Sequence, residues 1–144
     1  YSSAASDVYK RQKKYSCHKI SEGCAEAEAI VSKDHIMFYL MNPETGEVIE
    51  KAHDLEGRSV AKKVLIFPGG KGSSVVQADG LYQLKMNQNM PAAMIVQYPE
   101  TVLVSSAIIM EVPMVDKVDP AFYEDVKDGD RIRVDADNGI IEIL

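Results

Sequence analysis

The 144-residue sequence predicts one α/β domain, a mixed sheet or partial barrel with flanking helices. Three observations predict it. Two short aliphatic runs, Lys63–Phe67 and Pro91–Tyr98, read as strands buried on both faces. Each is followed by a segment that can form a helix. The C-terminal segment alternates apolar and polar residues on both sides of a turn, as an antiparallel hairpin does.

The elements follow in order. "YSCHKI" (residues 15–20) is short enough for one strand, and Ala25–Ser32 alternates acidic or small residues with apolar ones as a second strand does. "HIMFYLM" (residues 35–41) is apolar and reads as a strand, closed by a turn at Pro43 and Gly46. After the buried strand Lys63–Phe67, the spacing of Val75, Val76, Leu81 and Leu84 permits a helix, which Gly80 weakens. Pro99–Val112 reads as a short helix entering a strand. Asp119 and Pro120 form a helix start, with Gly129 beyond its end. Asn138-Gly139 signals a type I′ turn in the closing hairpin.

Composition narrows the function. Hydrophobic residues make up 46% and charged residues 26%, enough for a packed core, and the net charge of −6 disfavours nucleic acid as a partner. No apolar run approaches the ~20 residues that span a membrane. Cys17 and Cys24 read as free thiols of a reducing cytosol. Together with the scattered His18, His35 and His53 they give no metal-binding spacing, and each histidine reads as surface or core packing. Ser2–Gln12 matches a translated sequencing adapter or, failing that, a polar tail. Residues 1–12 are therefore set aside, and the domain is taken as residues 13–144.

The chemistry concentrates in "FPGGKGSS", Phe67–Ser74. A strand, a glycine-rich turn and a helix start bring backbone N–H groups to one point, where an anion can bind. Lys71 adds a charge, and Ser73 and Ser74 can cap the helix or touch a ligand. A nucleotide P-loop needs Gly, four residues, then Gly-Lys-Ser/Thr; here Lys71 precedes Gly72 and no Gly-Lys-Ser/Thr occurs, so this is not one. An ordinary strand-to-helix turn with a serine cap explains the loop equally well on its own residues.

That block occurs with "EAEAIVS", "NPETGEV", "LEGRSVAKKVLIF", "MPAAMIV", "ETVLVSSAIIMEVPMVD" and "DGDRIRVDADNGIIEI" in an order that resembles the aconitase X swivel-domain family, over about Cys17–Ile143. The resemblance implies a swivelling β/β/α-type domain acting as the small subunit of a hydro-lyase. A large subunit would complete the enzyme and carry an iron–sulfur cluster, with no cofactor bound by this chain alone. The family's substrates are small anionic hydroxy acids. It implies 5-phosphomevalonate first and cis-3-hydroxy-L-proline second; a non-catalytic anion-binding module is the rival. It also implies Ser73 as the general base, with Ser74 as the runner-up for that role. Gly70, Lys71, Gly72 and Ser74 would lie around the substrate.

Overall fold

A computed structural model describes residues 13–144; the adapter assignment lies outside them. Eight strands form one sheet: β1 (Lys13–Ser16), β2 (His18–Ser21), β3 (Cys24–Val31), β4 (Val64–Phe67), β5 (Ala93–Val96), β6 (Met114–Asp116), β7 (Arg131–Asp135) and β8 (Ile140–Ile143). Among the described residues three helices accompany them: α1 (Ser74–Met86), α2 (Thr101–Ile109) and α3 (Pro120–Asp125).

The strand order is β1-β8-β7-β3-β4-β5-β6-β2. β3 to β6 run parallel, while β7, β8, β1 and β2 pair antiparallel, so the sheet is mixed. β3 joins the two halves: Cys24–Glu28 pair with β7, and Ala29–Val31 pair with β4. The outermost strands β1 and β2 are separated in the chain by Cys17 alone. One residue cannot cross an open eight-stranded sheet, since an extended residue reaches only ~3.5 Å and neighbouring strands are ~4.8 Å apart. The sheet therefore curls until its edges meet, which makes it a partial barrel.

Strand parity builds two cores. Leu65, Phe67, Met94, Val96 and Met114 face α1 and α2, packing with Leu81, Leu84 and Leu103. Val64, Ile66, Ala93, Ile95 and Val115 face the barrel interior, where Tyr15, Ile132, Val134 and Ile141 meet Phe122 of α3. Burial on both faces is why "VLIF" and "AMIV" carry no polar residue.

Helix starts follow local chemistry. Asp119 caps α3 by accepting from Ala121 N at 3.0 Å, with Pro120 in the first turn. Glu100 caps α2, its carboxylate accepting from Val102 N at 3.0 Å and Leu103 N at 2.9 Å. Gly80 has a packing role rather than a merely weakening one. A Cβ there would stand 2.5 Å from Tyr39 N and 2.6 Å from Phe38 C, so only glycine lets α1 lie on that segment.

Three expectations are corrected. "YSCHKI" is two strands, because Cys17 is where the chain leaves β8 as partner and takes up β6. "HIMFYLM" is no strand: it makes isolated bridges at Ile36 and Met41 and turns between them, Leu40 N donating to Met37 O at 2.9 Å. Its apolar residues serve the helix-side core, with the Phe38 and Phe67 rings 5.8 Å apart at 77°. The closing hairpin has a four-residue loop, Ala136–Gly139, not a type I′ turn. Only Gly139 has positive φ there, and Asn138 instead hydrogen-bonds the Asp135 carboxylate through N and Nδ2.

Candidate functional site

The loop Pro68–Ser73 lies at the carboxyl end of β4, where the loops after β3 and β5 also converge. This is the end at which open α/β sheets place ligands. Backbone hydrogen bonds clamp it from both sides. Ile36 N donates to Gly69 O at 2.9 Å and Lys71 N to Ile36 O at 3.0 Å. Across from these, Gln97 N and Tyr98 N donate to Pro68 O at 3.2 and 2.8 Å.

Three glycines shape this path, and at Gly69 a Cβ would stand 2.7 Å from the Tyr98 carbonyl oxygen. Gly72 has φ +103°, a conformation that side chains resist. A Cβ on Gly70 would fall onto Nε2 of Gln77. Gln77 is buried one turn into α1, and its Oε1 accepts from Phe38 N at 3.1 Å. It thereby ties the helix to the 36–40 segment beneath the loop.

Ser73 occupies the N-cap of α1 with extended backbone, φ −71° and ψ 151°, and its carbonyl accepts the helical bond from Gln77 N at 2.9 Å. Its hydroxyl does not cap the helix. The exposed Oγ is thus left uncommitted at the positive end of a 13-residue helix. Ser74, also exposed, is the first helical residue. The structure therefore brings all five sequence-selected residues, Gly70, Lys71, Gly72, Ser73 and Ser74, into one turn.

Several neighbours carried no sequence signal. Glu50 comes from the excursion between β3 and β4, and its Oε2 accepts from Lys71 Nζ at 2.7 Å. Lys71 is therefore half of an ion pair. His53 is buried, with Nδ1 accepting from Leu55 N at 2.9 Å and Nε2 donating to His35 O at 3.0 Å. That pattern fixes the neutral tautomer and holds the turn just before Ile36. The exposed rings of His35 and Tyr98 stack beside the loop, centroids 6.2 Å apart and 10° from parallel. His18 lies elsewhere, Nδ1 2.7 Å from Asp116 Oδ1 on the β2–β6 edge.

Gly69 is buried and Pro68, Gly70 and Lys71 are half-buried, while Gly72, Ser73 and Ser74 stand exposed at the rim. A depression of about 300 Å³ adjoins Pro68, lined by Ser32, Phe67, Gln97 and Tyr123 among others. Burial and the charge of Asp116 push the Tyr123 phenol up to about 12, so it stays protonated. A larger cavity of about 730 Å³, lined by Lys19, Glu22, Glu111 and Asp137 among others, lies by the amino-terminal ends of the parallel strands. It shares no residue with the loop.

Residues 14–143 match the family model for the aconitase X swivel domain. The chain belongs to that family. The phosphomevalonate dehydratase small subunit of Methanothrix thermoacetophila is 48% identical over 126 residues, 87% of this chain and 90% of that protein. The protein of the same name from Methanosarcina mazei is 45% identical over 132 residues, 91% of each chain. Among solved structures, aconitase X of Thermococcus kodakaraensis in its holo form superposes with TM-score 0.83 at 44% identity, covering 92% of this chain and 98% of that one. The swivel-domain fold therefore extends over nearly all the described residues.

The iron–sulfur cluster expected with this family does not fit this chain. Clusters are held by three or four thiolates. Cys17 and Cys24 are free, and among the described residues no three His, Cys, Asp or Glu side chains gather to hold a metal. No helix among those residues is long and apolar enough to cross a membrane.

Proposed function

We propose that this chain is the small subunit of an aconitase-like hydro-lyase that removes water from (R)-5-phosphomevalonate, giving trans-anhydromevalonate 5-phosphate. The observation that carries the proposal is the uncommitted Ser73 hydroxyl at the α1 N-cap, in a chain whose named relatives are phosphomevalonate dehydratase small subunits. The exposure of Gly72, Ser73 and Ser74 supports a two-subunit enzyme, in which a second polypeptide closes over them and excludes water. The large subunit is proposed as that polypeptide and as the carrier of the cluster.

Within this chain each residue has a distinct task. Ser73 Oγ takes the proton from the carbon next to the carboxylate, the C–H electron pair becomes the new C=C bond, and the hydroxyl on the adjacent carbon leaves with its C–O electron pair as hydroxide, which is protonated to water. A serine does this only as an alkoxide, and the helix dipole and the free amides at the start of α1 favour that negative charge. Gly72 gives the turn that aims those amides, and Gly70 keeps the backbone close to the substrate. Lys71 and Ser74 bind the substrate's anionic groups by charge-assisted hydrogen bonds. The backbone clamp at Ile36 and Pro68 holds this geometry, and orientation of reacting groups lowers the barrier.

The test is anaerobic co-expression of residues 13–144 with an aconitase X-type large subunit, followed by assays of water loss from 5-phosphomevalonate and cis-3-hydroxy-L-proline. Turnover of the first is expected. Turnover of the second alone would replace the substrate and keep the enzyme. An assembled, cluster-loaded complex inactive on both would overturn the proposal.

A further inference from the structure

We infer that Glu50 is the positioning residue of this site, fixing where the Lys71 ammonium meets an anion; the inference rests on the anion-binding reading of the loop above. Oε2 of Glu50 accepts from Lys71 Nζ at 2.7 Å, while Oε1 is fully buried and has no hydrogen-bond partner among the described residues. A buried carboxylate oxygen without a donor is unfavourable, and an ion pair made only for stability gains nothing from it. The arrangement makes sense if the useful product is the location of Nζ.

The geometry supports this. The Lys71 backbone is pinned by the hydrogen bond its N–H donates to Ile36 O, yet the long side chain leaves the ammonium free to swing. Glu50 stops it at one point. An ammonium has three N–H donors and this pair uses one, so two remain for a ligand. The Lys71 side chain is 38% exposed and that of Glu50 21%, so the lysine is the partner a ligand can reach. The pair carries no net charge. Attraction of an anion therefore falls to the helix amides, and Glu50 contributes alignment rather than affinity by charge.

Glu50→Ala and Glu50→Gln separate position from charge, because both free the lysine charge but only glutamine keeps an acceptor for Nζ. The first readout is independent of activity: side-chain 13Cε relaxation of Lys71 in the full chain. Lys71 should be more rigid than the exposed lysines in the native chain and in Glu50→Gln, and as mobile as them in Glu50→Ala. The second readout is kinetic, in the reconstituted complex. KM should rise about tenfold in Glu50→Ala with kcat within about threefold, while Glu50→Gln stays at or below the native KM. Thermal stability should not fall in Glu50→Ala, which removes the unsatisfied oxygen, whereas Glu50→Gln puts an amide NH2 in its place and is judged by relaxation and KM alone. A mobile Lys71 in the native chain would overturn the inference. So would a lower melting temperature of Glu50→Ala with unchanged KM, which marks a structural pair, or equal tightening in both variants, which marks Glu50 as a competing charge. If the native complex turns over neither acid, the functional reading fails, while the relaxation result still decides the placement of Lys71.

Discussion

Gly80→Ala distinguishes the two ways of reading this helix. Gly80 lies inside α1, where replacing glycine by alanine ordinarily stabilises by about 1 kcal/mol through backbone entropy. The structure reverses the sign. The new Cβ would stand 2.5 Å from Tyr39 N, 2.6 Å from Phe38 C and 2.7 Å from Phe38 O. All three are backbone atoms, so no side chain can turn aside, and α1 must separate from the 36–40 segment. Overpacking of this kind costs about 1–3 kcal/mol, with rigid backbone at the upper end. Setting about 3 kcal/mol of overpacking against the helical gain leaves a net loss of about 2 kcal/mol, or a fall in Tm of roughly 8 °C for a domain of this size. Urea denaturation and differential scanning calorimetry on residues 13–144 measure it. Because the same segment carries Ile36, which clamps the loop, amide signals of Gly69–Ser73 should also shift. A Gly80→Ala chain as stable as the parent, or more so, would refute the packing account.

The remaining predictions concern chemistry and pH. Ser73→Ala should leave assembly with the large subunit intact and lower kcat by at least about a hundredfold; unchanged turnover would move the base to Ser74 or to the partner. Hydrogen bonds from Tyr15 to Asp125 and from Arg131 and Arg133 to Glu26 hold those carboxyls below their usual ranges; at Asp128, burial opposes, but Arg58 and the Val31 amide prevail. Groups with lowered folded values stabilise above their unfolded values, so urea midpoints should be flat from pH 5 to 7 and fall below about pH 4. A midpoint that stays flat to pH 3 would show that these pairs contribute nothing. Burial, then the charges of Asp135 and Asp116, pushes the Cys17 thiol up to about 11, whereas Cys24 is exposed. Iodoacetamide at pH 8 should therefore modify Cys24 first by peptide mass spectrometry; equal rates would mean that Cys17 is more accessible than the fold allows.

Much of the fold was legible because its signals are local. "VLIF" and "AMIV" are apolar at every position, and only a strand covered on both faces needs that. Asp119-Pro120 and the alternation around Asn138-Gly139 act within one turn, so α3 and the last hairpin could be read from neighbouring residues. "HIMFYLM" misled because apolarity records burial rather than conformation. Its Ile36, Phe38 and Met41 are buried in the helix-side core, while its backbone pairs only at isolated points. "YSCHKI" misled because a strand's partner is chosen by the whole sheet. Cys17 marks the change of partner only once the barrel has curled.

The site divides the same way. The sequence by itself placed Gly70, Lys71, Gly72, Ser73 and Ser74 in one strand-to-helix turn, because a turn is built by consecutive residues. It also indicated a shortage of metal ligands, since ligand sets are counted in residue types. Only the tertiary structure supplied Glu50 against Lys71, Gln77 beneath Gly70, and His53 holding the carbonyl of His35. These contacts join segments 7 to 21 positions apart, and no local propensity encodes such a pairing. The pairings of Glu50 and His53 arise when the 32–63 excursion folds over the helix-side core, and that of Gln77 when α1 packs back on the loop. The Ser73 hydroxyl likewise had two local uses, capping or chemistry, and the backbone path into α1 left it free of the cap.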